Sequence, residues 1–287
     1  MPTPVWLITG ASNGLGLALT LRVLRAGHHA IASVRSKTKS ADAVQKIEQA
    51  GGSVIEMDMT ESQESIANKV GPISRIDYLV NNAGYSILAA CEVISEEEAT
   101  LQLNTNFFGP LYTIQAALPV MRSQGFGTIV NVSSVAAQDP LASCSLYSAS
   151  KAALEAASES LAKEVARHGI RVLIVEPGNF RTNFASALAD ASPDPDSIPP
   201  YYDDPVGQIV RKFIGTHGKQ IGNPEEGVER IFEAVTGEGG KAGHLAGNVA
   251  RLVLGSDAWG RMKRKAEKHL NEVNMQEETA KSTDFVE

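Results

Sequence analysis

The fold class follows first from twelve residues near the start of the chain, Val5-Trp6-Leu7-Ile8-Thr9-Gly10-Ala11-Ser12-Asn13-Gly14-Leu15-Gly16. The first four are apolar and predict a buried strand, and the glycines that follow predict a tight turn. Leu15, Leu19 and Val23 then recur at helical spacing, and Gly27 is typical of a helix end. A strand, a glycine turn and a helix in this order predict an α/β domain and suit a dinucleotide pyrophosphate, because glycines allow close backbone approach and a helix N-terminus supplies free amides.

The second apolar run, residues 29–35, ends in a basic residue where dinucleotide-binding units usually carry an acid. The acid, about 20 positions after the glycines, binds the ribose 2′-hydroxyl of NAD. Here the position is Arg35, with Lys37 close behind, and no Asp or Glu occurs between Gly16 and Asp42. A guanidinium matches a 2′-phosphate, so we predict NADP(H) rather than NAD; the alternative is a solvated arginine at a strand end.

Two further strand ends carry polar residues that suit a nucleotide. The run 53–58 ends at Asp58, which either accepts a hydrogen bond from the adenine amino group or is an ordinary loop acid. The run 76–80 leads into Asn81-Asn82-Ala83-Gly84, whose small residues let the backbone pass close to a flat cofactor or merely shape a turn.

The candidate residues for proton transfer are Ser134, Tyr147 and Lys151. Tyr147 and Lys151 are four residues apart and share one face of a predicted helix. Ser134 closes the apolar run 128–133, at the carboxyl end of a predicted parallel strand, where ligands bind in open α/β sheets. A free tyrosine has a pKa near ~10, and a nearby ammonium favours its phenolate, so the pair suits proton transfer while the serine fixes a substrate carbonyl. The alternative is an ordinary helix pair beside a loop serine.

Asn106 lies in a predicted helix that opens with the capping box of Ser95 and Glu98 and continues to about residue 121. A buried asparagine often only satisfies local backbone. Gly109 and Pro110 predict a kink next to Asn106, however, and a kinked helix can leave a carbonyl free to hold water.

The C-terminal third is less regular. Residues 183–222 include a proline-rich segment and are predicted to form a substrate lid. Within this segment, Tyr201 and Tyr202 either close over an apolar substrate or anchor the loop. A last short strand is predicted near 244–246, and residues 257–287 are predicted to form a charged helix and tail.

Composition limits the function classes. The 287 residues, 43% hydrophobic and 21% charged, suit one domain over residues 1–287, and the net charge of −7 argues against nucleic acid. Two cysteines without metal-like spacing fit a reducing compartment and predict no metal site. No apolar run has the length of a membrane span, and the first strand begins too early for a signal peptide, so we expect a cytoplasmic protein without membrane contact.

Taken together, the motifs over residues 4–182 resemble those of the short-chain dehydrogenase/reductase family, and they follow the family's order. They are Thr9-Gly10-x-x-x-Gly14-x-Gly16, Asn81-Asn82-Ala83-Gly84, Asn106, Ser134, Tyr147-x-x-x-Lys151 and Pro177-Gly178 with Thr182. The resemblance implies a doubly wound Rossmann-like fold with a seven-stranded parallel sheet and helices on both faces, and a homodimer or homotetramer built on the long helices. Arg35 matches the NADP-preferring members, and the chain's ending resembles a subgroup of carbonyl reductases.

The resemblance also implies residue roles. Tyr147 would be the general acid in reduction, Ser134 would orient the carbonyl, and Asn106 would support a water-linked proton relay. Lys151 would hold the nicotinamide ribose and lower the tyrosine pKa. The implied cofactor site comprises Gly10, Ser12, Asn13, Gly14, Leu15, Gly16, Arg35, Asp58, Met59, Asn82, Ala83, Gly84, Tyr147, Lys151, Pro177, Gly178 and Thr182.

The sequence therefore predicts an NADPH-dependent oxidoreductase that reduces a ketone or aldehyde of a small or mid-sized organic molecule to an alcohol. One alternative is an NADP-dependent alcohol or steroid-type dehydrogenase that runs oxidatively. Another is an NADP-binding sensor without turnover, although none of the three chemistry-bearing residues is missing.

Overall fold

The computed structural model describes residues 2–184, 205–215 and 218–285, and a seven-stranded parallel sheet forms its centre. The strands are β1 (Val5–Ile8), β2 (His29–Val34), β3 (Ser53–Glu56), β4 (Tyr78–Asn81), β5 (Gly127–Val132), β6 (Ile170–Pro177) and β7 (Arg251–Leu254). They lie in the order β3-β2-β1-β4-β5-β6-β7, so the chain reverses its direction across the sheet between β1 and β4. In open α/β sheets, this switch point is where ligands bind at the carboxyl edge.

Helices cover both faces of the sheet, which confirms the predicted doubly wound Rossmann-like fold. The helices are α1 (Gly14–Arg25), α2 (Ala41–Gln49), α3 (Gln63–Val70), α4 (Glu96–Leu103), α5 (Gly109–Gln124), α6 (Val135–Gln138), α7 (Ser145–Val165), α8 (Pro205–Gly215), α9 (Pro224–Thr236), α10 (Ser256–Asn274) and α11 (Glu277–Lys281). Apolar residues of α1, α2 and α9 pack on one face, and those of α3, α5 and α7 pack on the other.

The alternation of side chains along each strand divides the core into these two layers. In β1, Trp6 and Ile8 join the layer with α1 and α9, whereas Leu7 joins the layer with α3 and α5. The Trp6 ring stacks on Phe232 of α9 with 5.8 Å between ring centroids. The central strands β1, β4, β5 and β6, which are covered on both faces, bury nearly every side chain. Such strands read as continuous apolar runs, which is why these four were predicted from the sequence.

The helix around Asn106 is interrupted one turn earlier than predicted. Residues Asn104–Phe108 form a π-helical segment between α4 and α5, whereas the predicted kink was at Gly109 and Pro110. Gly109 instead serves close packing, since a Cβ there would lie 2.5 Å from the carbonyl oxygen of Met59. Single π turns inside helices frequently occur at functional sites.

The last strand lies later than predicted. Residues Gly243–Leu245 form a short 3₁₀ turn, so the predicted strand near 244–246 is wrong. The strand is β7, whose Leu252 and Leu254 are buried and alternate with more exposed neighbours. It pairs in parallel with the end of β6, with Pro177 opposite Leu254.

The predicted lid at 183–222 falls largely outside the described residues. Residues 185–204, with Tyr201 and Tyr202, and residues 216–217 are not among them, while α8 occupies 205–215. Within the described part of the chain, no helix is both long and apolar enough to cross a bilayer.

Candidate active site

The glycine turn between β1 and α1 is held tightly against the end of β4. Gly10 has a φ of +67°, and a Cβ there would lie 2.7 Å from the Cα of Ala83. A Cβ on Gly16 would collide with the Gly10 carbonyl oxygen and the Asn82 side chain. Because neither position has room for a side chain, only glycine allows the turn to lie this close to the end of β4.

A hydrogen-bond clamp joins this turn to the segment after β4. The Asn82 Nδ2 donates to the carbonyl oxygens of Thr9 (3.0 Å) and Gly10 (3.1 Å). The Thr9 hydroxyl accepts in return from the backbone amides of Asn82 (3.0 Å) and Ala83 (3.1 Å). No role was predicted for Thr9 from the sequence, although a threonine at a buried strand end beside a glycine was a usable signal.

The N-terminus of α1 has the arrangement that a phosphate requires. Its N-cap, Asn13, is extended and its side chain makes no capping hydrogen bond to the helix amides; Nδ2 instead lies 3.4 Å from the Ser12 hydroxyl. Gly14 has a φ of +56°, and Thr182 is its nearest neighbour, 3.4 Å from where a Cβ would be. Leu15 packs on the core below. Gly14 and Thr182 are therefore neighbours, and the first amides of α1 have no side-chain cap, which leaves them available to an anion.

Arg35 follows β2 directly and is exposed, and within the described residues its guanidinium makes no ion pair.

In the loop after β3, the Asp58 Oδ1 accepts hydrogen bonds from the Thr60 amide and hydroxyl, both at 2.9 Å. Asp58 thus stabilises its own turn, and no hydrogen bond to its Oδ2 is found among the described residues. Met59 is buried against Gly109.

Asn106, Gly84 and Lys151 meet at one point. A Cβ on Gly84 would lie 3.1 Å from the Asn106 Oδ1 and 3.2 Å from the Lys151 Nζ. The Asn106 side chain is fully buried, and it donates to the Tyr85 carbonyl (2.9 Å) and the Ser150 hydroxyl (3.0 Å) and accepts from the Tyr85 amide (3.1 Å). These contacts tie the loop after β4 to α7.

Ser134 and Tyr147 are in contact. The Ser134 hydroxyl caps α6 by accepting from the Ala136 amide at 3.1 Å. It also hydrogen-bonds the Tyr147 side chain, which lowers the phenol's pKa, but burial is the larger effect and raises that pKa to about 12. At neutral pH this phenol is protonated.

Lys151 is buried one helical turn after Tyr147 on α7, and its Nζ donates to the Val132 carbonyl oxygen at 2.8 Å. Burial lowers the pKa of Lys151 to about 8, and the charge of Glu155 opposes this shift. The expectation that Lys151 lowers the pKa of Tyr147 is not met in this structure, because desolvation dominates at the phenol and the ammonium is directed at Val132.

Gly178 follows β6 and lies so close to the Asp257 carboxylate that a Cβ would collide with it. Asp257, at the start of α10, accepts from the Asn179 amide (2.9 Å) and side chain (3.0 Å). Pro177 pairs with β7 and brings this loop to the same edge of the sheet as Ser134. Asp257 was missed, because nothing local marks a contact across 78 residues.

Apolar residues lie close to Tyr147. Leu88, Cys144 and Val210 form a buried cluster with Leu141 and Phe213 packed against it. The Cys144 thiol is near enough to raise the pKa of Tyr147, and the Phe184 ring lies 6.0 Å from the Tyr147 ring. Among the described residues, no group of three or more His, Cys, Asp or Glu side chains has the arrangement of a metal site.

Comparison with known proteins agrees with this geometry. The family model described as short chain dehydrogenase matches residues 4–192. Oxidoreductase claN of Passalora fulva is 46% identical over 184 residues, which are 63% of this chain and 84% of that protein. A 3-ketodihydrosphingosine reductase of Bacteroides thetaiotaomicron is 36% identical over 187 residues, covering 64% of this chain and 66% of that protein.

Solved structures extend the similarity over the whole fold. A short-chain dehydrogenase from Streptomyces avermitilis has a TM-score of 0.84 and 34% identity, with 99% of this chain and 100% of that chain covered. A short chain dehydrogenase from Burkholderia cenocepacia J2315, in complex with NADP, has a TM-score of 0.71 and 26% identity over 94% of this chain and 95% of that one.

Proposed function

The chain belongs to the short-chain dehydrogenase/reductase family, and we propose that it uses NADPH to reduce a ketone or aldehyde of a small or mid-sized organic molecule to an alcohol. The observation that carries the proposal is the contact of Ser134 with Tyr147 above a buried Lys151, at the sheet edge where the glycine turn also lies.

The cofactor site proposed for NADP(H) fits the residues present. Glycine at positions 10 and 16 lets the turn pack tightly against Ala83 and Asn82, and the α1 amides that follow, which have no side-chain cap, are suited to a pyrophosphate. Arg35 is exposed at the end of β2 and offers a fork of donors to a 2′-phosphate. The NADP-bound relative from Burkholderia supports the same cofactor. When bound, the reduced nicotinamide supplies the hydride that the carbonyl carbon receives.

The chain's own residues supply the proton. Tyr147, with a pKa of about 12, holds its proton at neutral pH and donates it to the carbonyl oxygen, which becomes the alcohol hydroxyl while the phenolate regains a proton from solvent. Ser134 orients that oxygen by donating a hydrogen bond from its hydroxyl. A phenol that is protonated at neutral pH is in the state that reduction uses, whereas oxidation uses the phenolate as base.

The substrate side favours an apolar molecule. Leu88, Cys144 and Val210 form a buried apolar cluster, the Cys144 thiol lies near enough to Tyr147 to raise its pKa, and the Phe184 ring lies 6.0 Å from the Tyr147 ring. The relative from Bacteroides that carries the name of a ketone reductase supports a carbonyl substrate. We therefore expect substituents without charge next to the reacting carbonyl.

The test is a panel of ketones and aldehydes assayed by the loss of NADPH absorbance, with the corresponding alcohols and NADP⁺ assayed in reverse. Apolar ketones should be reduced with NADPH, and charged analogues of the same length should react at least about tenfold more slowly, because burying an unpaired charge is costly. Turnover only with alcohols and NADP⁺ would instead support the oxidative alternative. Binding of NADPH without turnover of any carbonyl or alcohol would support a sensor.

A further inference from the structure

Helix α10 leaves the globular body after its first two turns. At its base, Ala258 is fully buried, Asp257 bonds Asn179, and Arg261 forms an ion pair with Asp139 at 2.8 Å. From residue 263 to 285, every described residue is exposed. The remainder of α10 therefore projects from the body without cover from any residue that the structure describes.

The projecting helix carries one apolar face, which we call the α10 stripe and which consists of Trp259, Met262, Ala266, Leu270 and Val273. With about 100° of rotation per residue, the five side chains fall within an arc of roughly 80°. Trp259 is 62% exposed, Leu270 60% and Val273 51%. An apolar row of this kind on a protruding helix typically marks an interaction surface.

The spacing of the stripe is symmetric about Ala266. Trp259 and Val273 are each seven residues from it, and Met262 and Leu270 are each four residues from it. In a two-fold symmetric interface, residue i contacts residue j and residue j contacts residue i. Two antiparallel copies of α10 that cross at Ala266 would place Trp259 opposite Val273 and Met262 opposite Leu270, with the smallest side chain where the helices are closest.

The charges next to the stripe also favour an antiparallel arrangement of the two helices. The first half of α10 is net basic, with Arg261, Lys263, Arg264 and Lys265 against Asp257, and the second half is net acidic, with Glu267 and Glu272 against Lys268. Antiparallel copies place the basic half of one beside the acidic half of the other, whereas parallel copies oppose like charges. Residues 256–285 contain six acidic and six basic residues, so a net attraction to an anionic membrane is absent.

We propose that the α10 stripe pairs with the α10 stripe of a second copy of this chain, antiparallel and centred on Ala266. The Lys263 and Glu267 side chains, which form a 3.9 Å ion pair along the edge of the stripe, then also reach the Glu267 and Lys263 of the second copy. The stripe spans only about 21 Å of helix, so the interface is small and we expect a weak, reversible association.

The direct test is disulfide cross-linking of single-cysteine variants. Cys91 is exposed, so the background carries Cys91→Ser, and the buried Cys144 is left in place. Ala266→Cys should form a covalent dimer under mild oxidation, because the two introduced thiols would face each other across the symmetry axis. Arg264→Cys is the matched control, since Arg264 lies on the opposite side of the helix and should stay monomeric on a non-reducing gel.

Orientation is tested by mixing the variants Met262→Cys and Leu270→Cys. The antiparallel arrangement predicts that the mixture cross-links and that either variant alone does not, whereas a parallel pair would cross-link each variant with itself. Ala266→Glu should raise the Kd of this association at least tenfold by sedimentation velocity, with the specific activity of the enzyme unchanged.

Three outcomes would overturn the proposal. One is equal cross-linking of Ala266→Cys and Arg264→Cys, and another is self-cross-linking of Met262→Cys alone. The third is co-sedimentation with phosphatidylcholine–phosphatidylserine vesicles that Ala266→Glu abolishes while the sedimentation coefficient in solution stays unchanged, because the stripe would then bind lipid rather than a second copy.

Discussion

Glu155 is buried one helical turn beyond Lys151 on α7, and its charge raises the pKa of an ammonium that burial lowers to about 8. The Glu155 carboxylate is itself held by the Ser133 hydroxyl (2.6 Å), by the Gln138 side chain and by Arg251 (2.7 Å). The network holds the Glu155 carboxylate one helical turn from Lys151, without contact to the reacting atoms. Glu155 therefore favours the charged form of Lys151 against the effect of burial.

Replacing Glu155 tests this relationship. Glu155→Gln keeps the shape but removes the charge, so the Lys151 pKa should fall further, and the upper limb of the pH–rate profile for carbonyl reduction should move to lower pH. Glu159→Gln is the matched control. Glu159 also forms an ion pair with Arg251 (2.6 Å), but its side chain is half exposed and it is not among the groups that shift the Lys151 pKa. Equal profiles for the two variants would contradict the assigned role.

The lowered pKa of Lys151 also predicts how stability depends on pH. Because the folded chain binds this proton less tightly than the unfolded chain, whose ordinary value is 10.5, the free energy of unfolding should rise with pH from about 8 to 10.5. The rise is about 3 kcal/mol at most. Lys151→Met should remove it in urea unfolding of the cofactor-free protein between pH 8 and pH 10. A variant that shows the same rise would exclude Lys151 as its source.

Gly84 is predicted to be intolerant of any side chain. In Gly84→Ala, the new methyl group would lie 3.1 Å from the Asn106 Oδ1 and 3.2 Å from the Lys151 Nζ, so one of them must move. Moving either group away from the new methyl should lower kcat by about tenfold to a hundredfold. The free energy of unfolding in urea should fall by about 1–3 kcal/mol.

The matched control for Gly84 is Gly260→Ala in α10, where the nearest atom is the flexible end of Arg264 at 3.4 Å. It should leave kcat unchanged and stabilise the helix by roughly 0.5–1 kcal/mol. If Gly84→Ala retained full activity, the convergence of Asn106 and Lys151 on this glycine would have no bearing on turnover.

Arg35 is predicted to select the cofactor. Arg35→Ser removes a charge-assisted contact to a 2′-phosphate, worth about 1.5–3 kcal/mol, so the KM for NADPH should rise roughly 10–100-fold while the KM for NADH changes little. Lys39→Ser, a nearby exposed lysine, serves as the control. A loss of the same size for both cofactors would mean that Arg35 supports the fold rather than the phosphate.

Local patterns predicted most of the fold and the chemistry-bearing part of the site. The glycine turn and the four-residue spacing of Tyr147 and Lys151 depend on neighbours in sequence, and the buried strands are continuous apolar runs. The contacts of Arg251 with Glu155 and of Asp257 with Asn179 join residues 96 and 78 positions apart, so no local pattern indicates them. The raised pKa of Tyr147 likewise depends on burial by several elements, which sequence spacing does not report.

The contribution of the Tyr147 proton is measured most directly by comparing Tyr147→Phe with Tyr112→Phe, a half-buried tyrosine of α5 that the proposed mechanism does not use. Turnover of a carbonyl substrate and the Kd for NADPH, from quenching of protein fluorescence, are determined for each. Tyr147→Phe should lose a factor of about 10² to 10⁴ in kcat with NADPH affinity nearly intact, and Tyr112→Phe should resemble the unmodified chain. Retention of most of the activity by Tyr147→Phe would contradict the assignment of this phenol as the proton donor.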